Sequence, residues 1–293
     1  MKKIYNTVFK VFVLGILISI FFIFSAFWYF SYDLPDYKKL SSYEPSVLSR
    51  VYDDKGQLIA EYALEKRLFI PYESIPNKVI YSFLSAEDKN FFDHPGIDAR
   101  GVTRAFIRNI RNILTNKRLE GASTITQQVA KNFLLTNEVS LKRKIKEAIL
   151  AFRIEKAYTK ERILELYLNE IYLGQGTYGV ASASLEYFNK SVKELNYKEA
   201  ALLAALPKAP SKYNPYKSES LAKVRRNLVL NNLKENGYIS NKDYKKFTKE
   251  KITLNKRKIS LIKEAKSFTE EVRRIVKTDY GFNNEETKIV TIN

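Results

Sequence analysis

The residues of this chain that are best suited to chemistry lie in one short segment, 87–96. Two adjacent carboxylates, Glu87 and Asp88, precede a Phe-Phe pair and the single histidine of the chain, His94. An apolar stretch comes just before them, so we expect the segment to lie against a core, where burial disfavours an ionised carboxylate. A carboxyl group whose pKa is raised in this way can act as a general base near neutral pH. A helix end with solvated or capping acids is the alternative, and this segment alone does not decide between the two.

A second polar stretch follows at residues 120–132. Its hydroxyl and amide groups suit hydrogen bonds to a sugar, and its lysine could meet a phosphate; the candidates are Ser123, Thr124, Gln128, Lys131 and Asn132. The alternative for any one of them is a helix N-cap or a polar helix face.

Further along, Arg143 and Glu147 are four residues apart and share a helix face, although such pairs usually contribute less than ~1 kcal/mol.

Composition limits the kinds of catalysis that are available. The 293 residues include no cysteine and one histidine, which excludes disulfides, a thiolate nucleophile and a histidine-rich metal site. A Ser-His-Asp triad would be possible only with His94, so we expect any catalysis to use mainly carboxylates, lysines and arginines. The formal net charge of +18 predicts attraction to polyanions: nucleic acid, an anionic membrane surface or a phosphorylated substrate.

The N-terminal region narrows the choice among these polyanions. Residues 11–30 contain no charged side chain, and a helix of this length spans the ~30 Å hydrocarbon layer of a bilayer. Lys2, Lys3 and Lys10 precede it, which predicts a cytoplasmic N-terminus and a catalytic region outside the cytoplasm. A cleaved signal peptide is the alternative, but bulky aromatic residues stand where a peptidase prefers small ones. This placement argues against a nucleic-acid partner.

The pattern of the whole chain predicts a mainly α protein. We expect a cytoplasmic tail over 1–10, a transmembrane helix over 11–30, a stalk over 31–46, a main domain over 47–240 and a C-terminal extension over 241–293. Alternating residues on either side of a turn at 53–56 predict a small N-terminal β-hairpin, and helical patterns follow almost throughout. The glycine-rich segment 174–179 matches a dinucleotide fingerprint but follows a helix, so it predicts a C-cap and loop rather than a nucleotide site.

Five motifs in this order resemble those of the peptidoglycan glycosyltransferases. The motifs are Glu87-Asp with Phe91 and His94-Pro-Gly96, the segment 121–128, Arg143-Lys-x-x-Glu147, the segment 162–174, and the segment 200–215 that includes Lys208. These enzymes are the glycan-polymerising domain of class A penicillin-binding proteins and the related monofunctional enzymes. The resemblance implies a lysozyme-like domain with a smaller membrane-embedded part. It also implies lipid II and the growing glycan strand as substrates.

The resemblance also implies roles for individual residues. Glu87 is expected to be the catalytic base and Asp88 its neighbour, while Phe91, His94 and Gly96 shape the turn. Glu147 is the second family glutamate. It would orient the cations Lys131 and Arg143, or hold a divalent ion (Mg or Mn) against the diphosphate; no other cofactor is expected. Ser123, Thr124, Gln128 and Asn132 would bind substrate, and Lys208 would contact the donor or the growing chain.

Further expectations concern partners, location and the C-terminus. We expect the lipid bilayer and other cell-wall synthesis proteins as partners, no nucleic acid, and a single-pass protein of the inner or plasma membrane. The basic amphipathic stretch 104–114 could lie in the headgroup layer, or it could be an ordinary core helix. Residues 288–293 resemble a linker to a transpeptidase whose Lys-Thr-Gly element is missing, so we expect no transpeptidase activity and leave open a truncated class A protein or a monofunctional enzyme. A lysozyme-like glycan-cleaving enzyme and a non-catalytic scaffold remain as alternatives.

Overall fold

The computed structural model describes residues 2–41, 43, 49–52, 58–62, 66–115, 121–136, 138, 140–256, 271 and 274–275. Over these residues the chain is mostly helical, so the predicted mainly α class is confirmed. The helices are α1 (Lys2–Tyr32), α2 (Asn77–Glu87), α3 (Ala99–Leu114), α4 (Ile125–Leu134), α5 (Leu141–Ala157), α6 (Lys160–Glu170), α7 (Val180–Phe188), α8 (Tyr197–Ala205), α9 (Glu219–Glu235) and α10 (Asn241–Lys249). Short 3₁₀ helices span Tyr37–Leu40, Tyr72–Ser74 and Val192–Glu194.

The described strands are few and short. Strand β1 (Ser49–Tyr52) pairs antiparallel with β2 (Leu58–Tyr62), and β3 (Lys66–Arg67) pairs parallel with β4 (Thr177–Tyr178). The turn that the sequence predicts at 53–56 lies outside the described residues.

The core is built by helices that pack around α2 and α8. Along α2, Val79, Ile80, Phe83 and Leu84 recur at helical spacing and are each at most 3% exposed. Helix α8 is apolar over most of its surface and is buried between α2 and α9, as expected for a central helix. The C-terminal end of α2, which carries Glu87, therefore has a fixed position on the core.

Side-chain caps set the beginnings of the helices that surround the predicted site. Thr124, Ser140 and Thr159 accept hydrogen bonds from backbone N–H groups in the first turns of α4, α5 and α6. The beginnings of α4, α5 and α6 are thus fixed by contacts within the first turn of each helix.

Residues 33–40, which follow α1, pack against α5 and α6. Lys146 Nζ lies 2.8 Å from Asp33 Oδ2, and the Tyr158 hydroxyl donates to the carbonyl of Tyr37 at 3.1 Å. Leu40 is 2% exposed, and its carbonyl accepts a hydrogen bond from Arg162. Residues 33–40, predicted as part of a stalk, are therefore attached to the helical domain.

Helix α1 covers the predicted span at residues 11–30. Over the residues that the structure describes, no helix is both long and apolar enough to cross a membrane. The structure thus confirms a helix at this position without supporting its assignment as a transmembrane span.

The loop between α2 and α3 touches the backbone of α5 at Gly96. Gly96 has φ +102°, and a Cβ built there would lie 2.8 Å from the carbonyl oxygen of Ala151. Both the backbone conformation and the close approach require glycine.

We expect Gly96→Ala to lower the free energy of unfolding by about 3 kcal/mol, because it adds a backbone clash to the cost of a left-handed alanine. Gly237→Ala is the matched control, since Gly237 also has a positive φ (+80°) but open space around its Cβ. Denaturant unfolding followed by circular dichroism measures both variants. Equal losses would show that close packing on α5 does not constrain the loop.

Candidate active site

Glu87 is the last residue of α2 and lies, partly buried, at the edge of the core. Its Oε2 accepts a hydrogen bond from Gln128 Nε2 of α4 at 3.0 Å. Burial raises the pKa of Glu87, while the Gln128 hydrogen bond and the positive charges of Arg225 and Lys208 oppose that rise in part. The carboxyl group therefore has a proton affinity above that of an ordinary glutamate, as a general base requires.

Asp88 is turned away from this position and binds the backbone instead. Its Oδ2 accepts a hydrogen bond from the backbone N–H of Ile125 at 3.0 Å, at the beginning of α4. His94 Nε2 lies 3.0 Å from both of its carboxylate oxygens. The Gly96 N–H donates to His94 Nδ1 at 3.1 Å, which assigns the proton of the ring to Nε2. Asp88, 6% exposed, thus joins the end of α2, the loop and α4.

Thr124, predicted to bind substrate, is 2% exposed and has structural contacts. Its Oγ1 donates to the carbonyl of Gly96 at 2.6 Å and accepts from the backbone N–H of Gln127 at 3.2 Å. The N-cap interpretation, which the sequence left open, therefore describes this residue.

A second cluster surrounds Glu147, whose side chain is 1% exposed. Arg143 Nη1 donates to its Oε1, and Lys144 Nζ donates to its Oε2. Lys144 Nζ also donates to Ser123 Oγ at 2.7 Å. The predicted residues Ser123, Arg143 and Glu147 are thus brought together, with Lys144 as the link.

The donor set around Glu147 does not fit a metal held by the protein. Both carboxylate oxygens already accept hydrogen bonds from cationic groups, which a metal ion would have to displace. Within the described part of the chain, no group of three or more His, Asp or Glu side chains could hold a metal ion. Glu147 is better placed to fix Arg143 and Lys144.

Three further predicted residues lie near these clusters. Lys131 and Asn132 follow Gln128 by one turn of α4 and so share its face. Among the described residues, Lys131 has no ion-pair or hydrogen-bond partner. Lys208 is exposed in the segment between α8 and α9, and its charge acts on Glu87.

Phe91 is fully buried and is held by a lysine that the sequence did not single out. Lys160 Nζ lies 4.5 Å from the centroid of the Phe91 ring and donates to the carbonyl of His94 at 2.6 Å. It also pairs with Glu155 at 2.8 Å, and Glu155 accepts from Thr126 of α4. This network fixes the loop from the side of α5 and α6.

Sequence reasoning missed Lys144, Arg225 and Tyr167. Lys144 had a signal, because it lies three residues before Glu147 on the same helix face. Arg225 comes from α9, and nothing local in the sequence connects it with Glu87. Tyr167 packs edge-to-face on Phe83, and burial together with the charges of Glu87 and Asp88 raises its pKa well above the usual value.

Helix α3 carries the basic amphipathic stretch predicted at 104–114. Phe106, Ile107 and Ile110 are 66, 62 and 49% exposed, so the ordinary core-helix alternative is wrong for these residues.

Comparisons with known proteins identify the family of the chain. The family profile described as Transglycosylase matches residues 55–234. The chain belongs to this family, and the resemblance to the peptidoglycan glycosyltransferases is confirmed.

Relatives include penicillin-binding protein 1A of Rickettsia prowazekii (strain Madrid E), 50% identical over 91% of this chain and 34% of the relative. Penicillin-binding protein 1A of Aquifex aeolicus (strain VF5) is 46% identical over 92% of this chain and 36% of the relative. The chain thus spans about a third of the length of these curated relatives. A crystal structure of penicillin-binding protein 1A from Haemophilus influenzae matches with a TM-score of 0.48 and 27% identity, covering 83% of this chain and 26% of that chain.

The hydrogen bond between Gln128 and Glu87 predicts a specific pH effect. Gln128→Met removes a donor that favours the ionised carboxylate, so the pKa of Glu87 should rise further. Because a base must be ionised to act, the acidic limb of the kcat profile should move to higher pH. Asn132→Leu, one turn along the same helix, is the control and should leave the limb in place. An unshifted limb in Gln128→Met would show that this contact does not tune Glu87.

Proposed function

We propose that the chain is a peptidoglycan glycosyltransferase that polymerises lipid II into β-1,4-linked glycan strands and releases undecaprenyl pyrophosphate. The observation that carries the proposal is the position of Glu87, a carboxyl group with raised pKa at the end of α2, fixed by Gln128. Membership of the transglycosylase family supports the same assignment.

In the proposed reaction, Glu87 removes the proton from the 4-hydroxyl of the acceptor sugar as its oxygen attacks the anomeric carbon of the donor. A carboxylate with ordinary pKa would be a weaker base, so burial against the core serves this step. The Gln128 amide keeps the carboxylate in one orientation. The charges of Lys208 and Arg225 act on Glu87, which supports the expected contact of Lys208 with the donor or the growing chain.

The leaving group is a diphosphate, which needs positive charge more than a proton as it departs. Arg143 and Lys144, fixed on the buried Glu147, provide this charge, and Lys131 adds a third cation on α4. Ser123, held by Lys144, adds a hydroxyl beside the cations. A divalent ion would then be carried by the diphosphate of the substrate rather than by Glu147.

Attack from the face opposite the diphosphate inverts the anomeric centre, so an α-linked lipid donor gives a β-linked product. The arrangement parallels that of inverting glycosidases, with a sugar hydroxyl in place of water. A cluster of cations on the leaving-group side replaces the second acid that a hydrolase would use.

Attachment to the membrane is part of the same proposal. It is supported by the uncharged residues 11–30 with lysines before them, and by the exposed apolar and arginine side chains of α3. The catalytic region would then lie on the extracytoplasmic side of the inner or plasma membrane, with the bilayer, lipid II and other cell-wall synthesis proteins as partners.

Glycan synthesis from purified lipid II tests the proposal. The protein should give a ladder of glycan products on a gel, and Glu87→Gln should slow this synthesis by about 10²–10⁴-fold, the usual contribution of a general base. Glu73→Gln, an exposed glutamate outside the site, should retain the activity. Shortening of added glycan strands would indicate a glycan-cleaving enzyme instead. A protein that is folded but makes no ladder would contradict the proposal.

The role of Lys144 predicts a second kinetic effect. Lys144→Met should lower kcat by about 10–100-fold, because a cation that stabilises the leaving diphosphate acts mainly in the transition state. Lys142→Met, an exposed lysine of the same helix, is the matched control. Equal activities of the two variants would show that Lys144 does not stabilise the leaving diphosphate.

A further inference from the structure

Helix α9 has a strip of exposed aliphatic side chains on the side that faces away from the core. Leu221, Val224 and Leu228 are 40, 69 and 47% exposed. Their spacing of three and four residues places them on one face of the helix. The opposite face is also apolar and fully buried, through Ala222, Val229, Leu230 and Leu233. The strip is therefore additional to what the core requires.

This strip, which we call the α9 strip, lies on the helix that packs against the last turn of α2, the turn that carries Glu87. Asn232 Nδ2 donates to the carbonyl of Ser85 at 2.9 Å, and Asn236 Nδ2 donates to Ser85 Oγ at 2.9 Å, which fixes α9 to the last turn of α2. Arg225 stands between Leu221 and Leu228 on the helix, and its charge acts on Glu87. The exposed apolar face therefore belongs to the helix that borders the proposed base.

Lysines and a tyrosine precede the strip in the chain. Lys208, Lys212 and Lys217 are exposed in the segment that leads into α9. The Tyr213 ring has Lys212 Nζ at 5.9 Å and Arg225 Cζ at 6.0 Å from its centroid. Aliphatic side chains bordered by cations and tyrosine are typical of a surface that lies in the headgroup layer of an anionic bilayer.

The need for such a surface follows from the proposed function, on which this inference rests, because the substrate is linked to a lipid. The isoprenoid chain of the acceptor must stay in the bilayer while its sugar reaches Glu87. The site must therefore open at the membrane, and whatever borders the opening must be compatible with lipid. Helix α3, at the far end of the loop that follows Glu87, has the same combination of exposed aliphatic and arginine side chains.

We propose that the α9 strip contacts the surface of an anionic lipid bilayer and is a second membrane-contacting surface in addition to α3. Leu221, Val224 and Leu228 enter the boundary between headgroups and acyl chains, and Lys212 and Lys217 meet lipid phosphates. The opening of the Glu87 site then faces the bilayer between the two helices.

The absence of cysteine from the chain allows a direct test. Val224→Cys is labelled with an environment-sensitive fluorophore, and the full chain is reconstituted into vesicles of phosphatidylglycerol and phosphatidylcholine. Lys245→Cys, on an exposed position of α10, is the matched control. Quenching is measured with nitroxide-bearing phosphatidylcholine and with aqueous iodide.

At position 224 we expect a blue-shifted emission, at least twofold stronger quenching by the nitroxide lipid than at 245, and protection from iodide. Iodide quenching equal to that at 245 would overturn the proposal. Shielding from both quenchers would also overturn it, because the strip would then be covered by protein, either a second copy or residues 257–293.

The labelling result does not depend on catalysis, so its failure can be distinguished from failure of the proposed function. The same measurement on the Glu87→Gln background should give the same quenching. As a second arm, Val224→Glu should lower glycan synthesis several-fold when lipid II is in vesicles and leave synthesis in detergent unchanged. An equal loss in both would show that the strip acts on folding rather than on lipid contact.

Discussion

The buried carboxylate of Asp88 is the constraint on which the site depends. It accepts hydrogen bonds from the first turn of α4 and from His94, and it directly follows the proposed base in the chain. A charge in this position is favoured by the positive end of the helix dipole, which offsets part of its desolvation. Since Gln128 belongs to α4, the same carboxylate that receives the N-terminus of α4 also sets the distance from Gln128 to Glu87. Gly96, Thr124 and Lys160 then fix the loop that carries His94, so the position of the base is determined from several helices at once.

The two glutamates of the site differ in environment, and their proposed roles follow from that difference. Glu87 lies against apolar side chains, and this burial raises its pKa, although the hydrogen bond from Gln128 opposes the rise in part. Glu147 is more deeply buried, but it is enclosed by an arginine and a lysine that engage both of its oxygens. Removing one partner of such a buried cluster would leave an uncompensated charge, which is far more costly than losing an exposed pair. The cluster is therefore best understood as a fixed positive surface, with Glu147 as its anchor.

The helices and their caps could be predicted from local sequence, whereas the contacts between distant parts of the chain could not. The mainly α class and the starts of α5 and α6 follow from helical spacing and caps that act within a few residues. The end of α2 at Glu87 was likewise visible, because the apolar pattern stops there. Thr124 satisfied both a substrate-binding and a capping interpretation, and only the position of Gly96 distinguished them. Arg225 reaches the neighbourhood of Glu87 through the packing of α9 on α2, a contact between distant parts of the chain with no local signature. Lys160 joins the loop to α6 in the same way, and no periodicity could have indicated it.

The attachment of residues 33–40 has a mechanical consequence. Helix α1 ends at Tyr32, the next residue pairs with Lys146, and Lys146 directly precedes Glu147 in α5. Helix α1 is thus connected to α5 immediately after its last turn. The buried Leu40 and the hydrogen bonds of Tyr158 and Arg162 hold residues 37–40 on the helical domain. A displacement of the C-terminal end of α1 would therefore act on α5, the helix that carries Arg143, Lys144 and Glu147. The orientation of α1 and the position of the cation cluster are thus linked through residues 33–40.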